Sequence, residues 1–363
     1  METNETRFDE NDRWIDDDAE RDETEIINFK YSIASYGADY PVDSLIKRLR
    51  DNTILIPSFQ REYVWNMNDA SSFIESLLLG LPVPGIFLSK EEDTQRLLVI
   101  DGQQRLKSLQ FFYDGIFFPT GKEFTLQGVQ KQFKGRTYKT LNDEDRLRLD
   151  DSIIHATVVK QDVPSDDNSS VYYIFERLNT RGRRLHPQEI RASIYHGPFN
   201  DLLEELNMDK NWRSIFGKPS PRRKDQELIL RFLAPCFKRD KYRRPMKEFL
   251  NIYMAANKKL QRQPKEALSQ TFFQTMQIVH ESIGEKAFKP ERALNAAVFD
   301  AVMVGLANRL NAGPITDRNT IKKKYEALLH DSKFANAYER STSNEEKVKE
   351  RIELAIEAFA NVK

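Results

Sequence analysis

The chain is 363 residues long, 31% of them charged and 39% hydrophobic, with a formal net charge of zero. That length gives room for two domains, and no apolar run approaches the ~18–20 residues that span a bilayer, so neither a transmembrane helix nor a membrane partner is expected. A single cysteine, Cys236, excludes an internal disulfide and a cysteine-based zinc site and reads as a free buried thiol in a cytoplasmic protein.

The zero charge conceals an asymmetry. Residues 1–26 hold twelve acidic side chains against Arg7, Arg13 and Arg21, a net −9 that the rest of the chain balances with +9. Such a segment repels itself and has little to bury, so 1–26 is expected to be an acidic disordered tail, with nothing resembling a signal or transit peptide. It serves either as a solubilising tail or as an arm competing with DNA for the mildly basic body.

From Tyr40 to about Val159 the pattern mixes strands and helices. Asp69 is expected to cap a helix with Phe73, Ile74, Leu77 and Leu78 on one face, ended by Gly80. Two strand-length apolar runs follow, Gly85–Ser89 and Arg96–Ile100. The second leads into Asp101-Gly102-Gln103-Gln104-Arg105, after which Leu106, Leu109, Phe112 and Tyr113 fall at helical spacing until Asp114-Gly115. Residues 116–152 read as an insertion of short strands and charged turns, and Ile153–Val159 as one more buried strand, with His155 a satisfied core residue. Beyond Asp162–Asp167 the pattern turns helical. Expected helices are Ser170–Leu178, Pro187–Tyr195 with proline at its first position, Pro198–Leu206, Asp225–Phe237, and the stretches 245–260, 265–283, 290–311, 317–330 and 344–361. The fold class is therefore α+β: a small sheet domain over 40–162, then an α-helical domain over 168–363.

Three clusters concentrate the residues fit for chemistry. In Val99–Arg105 a strand delivers a carboxylate, a glycine, two amides and a guanidinium to the opening of a helix. Gly102 permits a tight turn, and the helix start offers unpaired N–H groups to phosphate. Arg105 can grip phosphate oxygens, Asp101 can hold a metal ion such as Mg2+ or position water, and Gln103 and Gln104 can orient water or a base edge. The same residues would also serve as an ordinary strand-to-helix turn capped by Asp101. Upstream, Ile56–Trp65 interleaves Phe59, Tyr63 and Trp65 with Gln60 and Arg61, either a platform for base and phosphate or one buried strand face. Downstream, Arg177, Arg181, Arg183 and Arg184 crowd a turn containing Asn179, Thr180 and Gly182, a phosphate-facing loop or a solvated turn. Residues 218–224 form a second basic loop that reads as a plain linker.

Other chemistries are set aside. Gly80–Gly85 has P-loop glycine spacing without the Lys-Ser/Thr pair, and Pro82 and Pro84 remove N–H groups that a phosphate cradle needs. There is no G-x-S-x-G elbow, and His155, His186, His196, His280 and His330 show no metal-ligand spacing.

Taken in order, the three clusters resemble the N-terminal domain of GmrSD-type, modification-dependent restriction enzymes. That family's signature looks like I-P-x-F-Q-R-x-Y-x-W (here Ile56–Trp65), D-G-Q-Q-R (Asp101–Arg105) and R-L-N-T-x-G-x-x-L-x-x-x-E-I (Arg177–Ile190). The resemblance implies a ParB/sulfiredoxin-like fold, with nucleotide binding and hydrolysis at the D-G-Q-Q-R segment. It places Asp101, Gln103, Gln104 and Arg105 in catalysis, Gln60, Arg61, Tyr63, Gly102, Asn179 and Thr180 on the nucleotide, and Arg181, Arg183 and Arg184 on DNA or phosphate. The HNH nuclease of restriction members is expected to be missing, since no D-H-I-x-P-like pairing occurs in the C-terminal half and His280 and His330 lack its neighbours. The resemblance thus implies a nucleotide-dependent component of bacterial antiviral restriction, using an NTP with Mg2+ and partnered by DNA and a separately encoded nuclease. A catalytically silent ParB-like regulatory module and a ParB-type nuclease remain the alternatives.

Overall fold

The computed structural model of the chain describes residues 15–16, 32–57, 63–91, 94–163, 169–178, 185–339 and 342–363. They form two compact units, Lys30–Leu185 and His186–Lys363, the latter joined by the two-residue strand β1 (Ile15–Asp16). Apart from β1, the acidic N-terminal segment lies outside the described residues.

The first unit is a five-stranded mixed sheet. Its strands are β2 (Ser32–Pro41), β3 (Ile54–Leu55), β4 (Ile86–Lys90), β5 (Leu97–Asp101) and β8 (Ile153–Val163), ordered β2-β8-β4-β5-β3. Pairing alternates across the sheet: antiparallel for β2 with β8 and β4 with β5, parallel for β8 with β4 and β5 with β3. Helices α1 (Val42–Arg50), α2 (Met67–Leu78) and α3 (Gln103–Asp114) share one core with the inward side chains Ile86, Leu88, Val99, Ile154, Ala156 and Val158. α1 turns Val42, Leu45, Ile46 and Leu49 inward and places Lys47, Arg48 and Arg50 near its carbonyl end, where the helix dipole favours cations. The cap of α2 is Asn66 rather than Asp69: the Asn66 side chain accepts from the N–H groups of Asn68 and Asp69, while Asp69 accepts from Asn66 N–H. Asp69 is thus the reciprocal partner of a capping box. α3 stops at Gly115, as the sequence indicates, in a left-handed conformation at φ +78°.

The 116–152 segment holds the short strands expected of it and adds a helix and core side chains. A hairpin, β6 (Ile116–Phe117) with β7 (Lys122–Glu123), and helix α4 (Asp143–Asp151) carry Phe117, Phe124, Leu126, Phe133, Leu141 and Leu149 into the same core. Tyr113 and Tyr138 stack at 4.1 Å between ring centroids, and both hydroxyls donate to the Asp150 carboxylate. Helix α5 (Ser169–Leu178) packs on β5 and β8, so it belongs to the sheet unit rather than to the helical one.

The second unit is helical: α6 (Pro187–Ile194), α7 (Pro198–Leu206), α8 (Lys210–Phe216), α9 (Lys224–Lys238), α10 (Met246–Asn257), α11 (Lys265–Ser282), α12 (Ala296–Asn311), α13 (Arg318–Leu329), α14 (Ser332–Glu339) and α15 (Glu345–Phe359). The two short helices α8 and α14 have too few turns to show a rhythm in sequence, although Trp212 and Phe334 anchor them in the core. α12 starts later than the expected 290 because Leu294–Asn295 form β9, parallel to β1, and Asn295 caps the helix through Ala297 N–H and Val298 N–H. It is buried along most of its length and meets α15 closely: a Cβ on Gly305 would sit 2.8 Å from the Ala355 backbone.

Charges inside this unit are paired. Arg231 and Arg351 share the buried Asp300 carboxylate at 2.8 and 3.4 Å. Arg191 donates to Glu227 at 2.7 Å and to Asn251 at 2.8 Å. The basic loop 218–224 is no plain linker, since Arg222 pairs with Glu189 at 2.9 Å and Arg223 with Glu204 at 2.7 Å. Cys236 is free and partly buried, with its thiol pushed above its ordinary value by desolvation. Removing the carboxylate that two buried guanidiniums share is expected to be among the costliest single changes in the chain. Asp300→Ala should lower unfolding stability by about 3–5 kcal/mol, read as a shifted urea midpoint, whereas Glu353→Ala on exposed α15 surface should leave it within error.

Candidate functional site

Strand β5 ends at Asp101 and helix α3 begins at Gln103, so Gly102 alone makes the turn. It does so at φ +105°, and a Cβ there would lie 2.4 Å from Ile86 Cγ2. No L side chain fits either restriction. Because Gly102 occupies the capping position, α3 has no side-chain cap, and its first turn contains no acidic residue. The alternative of an ordinary turn capped by Asp101 is therefore corrected. Asp101 instead accepts from Arg105 Nη2 at 2.8 Å.

The two glutamines next in the chain are 6% exposed each. Gln104 Oε1 accepts from Val64 N–H at 3.0 Å and Trp65 N–H at 3.3 Å, which pins the stretch leading into α2. Yet Gln103 Nε2, Gln104 Nε2 and Arg105 Nε are buried donors with no hydrogen-bond partner among the described residues. Buried polar groups are rarely left unmatched. Three together, all donors, beside an uncapped helix N-terminus, give this turn chemistry that could take an anion.

These residues line one wall of an open cleft of about 740 Å³. Its floor is the sheet. Gly37 of β2 pairs with Thr157 of β8, Thr157 with Phe87 of β4, and Phe87 with Asp101 of β5, and all four line the cleft. The β4–β5 pairing slips by one residue between Leu88↔Val99 and Phe87↔Asp101, which brings Asp101 into that row. The opposite wall carries His155, whose Nδ1 lies 2.6 Å from Asp39 Oδ1. His155 is no core residue: its side chain is 72% exposed. Strand alternation explains the difference, for Ile154, Ala156 and Val158 face the helices while His155 and Thr157 face the cleft. Gly85, on the approach to β4 beside His155, lets the chain pass close to the β8 backbone, since a Cβ there would meet His155 O at 2.6 Å.

The structure thus brings Asp101, Gly102, Gln103, Gln104 and Arg105 together and adds Asp39, His155 and Trp65 to the same cleft. Tyr63 is placed elsewhere: its hydroxyl lies 2.6 Å from Ser108 Oγ, its ring packs on Phe111 and Phe117, and burial pushes its pKa up to about 12. Residues 63–66 are not a strand, so Tyr63 and Trp65 do not share a strand face, while Phe59 lies outside the described residues. Gln60, Arg61, Asn179, Thr180, Arg181, Arg183 and Arg184 lie outside the described residues, although Leu178 and Leu185, which flank the arginine turn, line the cleft. Among the described residues no group of three or more His, Cys, Asp or Glu could hold a metal ion. No helix among the described residues is long and apolar enough to cross a membrane.

Residues 42–196 match the family described as GmrSD restriction endonuclease, N-terminal domain. That span takes in the sheet from α1 onward and closes just past α6, while Gly37 and Asp39 precede it. An uncharacterized protein of Methanocaldococcus jannaschii is 31% identical over 113 residues, which cover 24% of this chain and 18% of that protein. The chain therefore spans less than a fifth of that relative's length.

The turn makes a sharp prediction. Gly102→Ala should destabilise the sheet unit by about 1–3 kcal/mol from backbone strain alone, with the Ile86 collision added, and should lower the melting temperature. Gly121→Ala, where a Cβ would meet nothing within 4 Å but φ is also positive at +68°, isolates the strain contribution and should cost clearly less.

Proposed function

We propose, from the premise that residues 42–196 are a GmrSD-type N-terminal domain, that the cleft binds the phosphates of a nucleoside triphosphate at the start of α3. On this reading the chain hydrolyses the nucleotide as a component of a restriction-type defence against foreign or modified DNA. The observation that carries the proposal is the set of three unmatched buried donors, Gln103 Nε2, Gln104 Nε2 and Arg105 Nε, around an uncapped helix N-terminus. Cleft volume supports it, being within the roughly 300–1,000 Å³ typical of small-ligand sites. Trp65 and Phe87 supply aromatic surface in the same cleft for a base.

In this reading the residues divide their work. Gln103 and Gln104 donate to phosphate oxygens, and Arg105 neutralises charge that builds on the transferring group. Asp101 holds the Arg105 guanidinium in place and, where Mg2+ accompanies the nucleotide, offers the ion one carboxylate oxygen. DNA and a separately encoded nuclease are the partners that such a component requires, with nucleotide turnover licensing cleavage carried out elsewhere.

Calorimetric titration of the four NTPs with Mg2+, followed by phosphate release with and without double-stranded DNA, tests the proposal. Absence of binding by any NTP would sink it, and binding without turnover would select the catalytically silent regulatory module. Gln103→Met supplies a sharper signature. Replacing a buried, unmatched donor by an apolar group should leave melting unchanged or raise it, because that donor costs about 1–3 kcal/mol in the empty site, while nucleotide affinity falls about tenfold or more. Asp101→Ala should leave the fold intact and cut turnover about a hundredfold, the scale of losing one transition-state contact.

A further inference from the structure

We infer that His155, oriented by Asp39, is the proton acceptor of this cleft. The inference rests on the phosphate-binding reading of the α3 wall and names the group opposite it. Among the described residues the cleft's ionisable lining is small: Asp39 from β2, His155 from β8, and Asp101 and Arg105 from the β5–α3 turn. β4 and the residues leading into it contribute Pro84, Gly85, Ile86 and Phe87, and α5 contributes Leu178, none of them titratable. Asp101 is engaged by Arg105 at 2.8 Å and Asp39 by His155 Nδ1 at 2.6 Å. A carboxylate held by a guanidinium is a poor base. The Asp39 carboxylate, by accepting from Nδ1–H, leaves the second ring nitrogen, Nε2, as the acceptor. Of these four groups among the described residues, His155 Nε2 is the one left to take a proton.

The spacing suits the task. β8 and β5 are separated by β4, so the two walls stand roughly 10 Å apart at the backbone, two interstrand spacings. A single anion held on α3 leaves a gap to His155, whereas a phosphoanhydride chain anchored at α3 carries its terminal phosphorus across.

The step balances without a co-reactant beyond water. His155 Nε2 accepts a proton from water as the water oxygen bonds to the terminal phosphorus. The bond from that phosphorus to the bridging oxygen breaks, and the bridging oxygen leaves with the electron pair on the nucleoside diphosphate. The imidazolium then gives its proton to solvent. His155 touches the reacting water and is catalytic, while Asp39 acts through it and is a positioning residue.

The test uses the full chain with Mg2+–NTP. His155→Asn keeps a donor for Asp39 but has nothing at the Nε2 position, so kcat should fall about 10²–10³-fold, the range of general-base catalysis, with calorimetric affinity for the same NTP unchanged. Asp39→Asn should lower kcat without raising KM, and the double variant should be no slower than His155→Asn alone. Unchanged kcat in His155→Asn overturns the inference, as does wild-type protein that binds NTP without releasing phosphate. Loss of NTP affinity in His155→Asn with unchanged kcat at saturation overturns it too, making the pair a binding element. Failure of wild-type binding is a different result, which removes the phosphate site itself.

Discussion

Between the pairs Leu88↔Val99 and Phe87↔Asp101 the two central strands slip by one residue, and the site depends on that slip. Strict alternation along β5 would send Asp101 to the same side as Leu97 and Val99, into the helix-packed core. The extra residue, Ile100, absorbs the shift and remains buried, while Asp101 emerges in register with Phe87 on the cleft. One residue later the chain must reverse into α3 within the space left by Ile86, and only a glycine at φ +105° does so. A β-bulge and a left-handed glycine in succession convert a core strand into a carboxylate, a bare helix end and a guanidinium lining the cleft.

That construction has an energetic consequence inside the same domain. A glycine in the capping position supplies no oxygen to the first-turn N–H groups, and the next three side chains bury donors without acceptors. The domain tolerates this because its core is broad: α1, α2, α3 and the 116–152 segment all bury aromatic or aliphatic side chains against one face of the sheet. Ser108 and Gln104 tie the turn to the stretch ahead of α2, through Tyr63 and the Val64 and Trp65 amides, so the donors are held in place without being satisfied. On the proposed reading, an anion would supply the acceptors that this held set of donors lacks, at little reorganisation cost.

How much of this is legible in the sequence depends on how local each signal is. The strand–turn–helix at 97–114 is readable because an apolar run, a glycine and a helical spacing adjoin one another, and the helices from α9 to α13 because each repeats its apolar rhythm for at least three turns. Helices α8 and α14 escape detection since two turns carry no rhythm. The cap of α2 lies three residues ahead of the position expected for it because Asn66 and Asp69 both have capping chemistry and reciprocate. His155 departs from expectation for a different reason. Ile-Ile-His-Ala-Thr-Val-Val looks continuously apolar, yet at period two it separates into Ile154, Ala156 and Val158 on one face and His155 and Thr157 on the other.

The two walls of the cleft therefore differ in kind. Asp101 to Arg105 are five consecutive residues whose arrangement is fixed by one turn, and a pattern search over a short window finds them. Asp39 and His155 are 116 positions apart and meet only because β2 and β8 pair antiparallel over their whole length. Their register is set on the opposite face of the same strand, by the alternation that buries Ile154, Ala156 and Val158 over the helices. A shift of one residue in that pairing would turn His155 inward and expose the apolar set, so the core that stabilises the sheet also aims the histidine. The histidine wall and the α3 wall are thus positioned by independent parts of the same sheet, one by the burial pattern of an eleven-residue strand, the other by a bulge and a glycine.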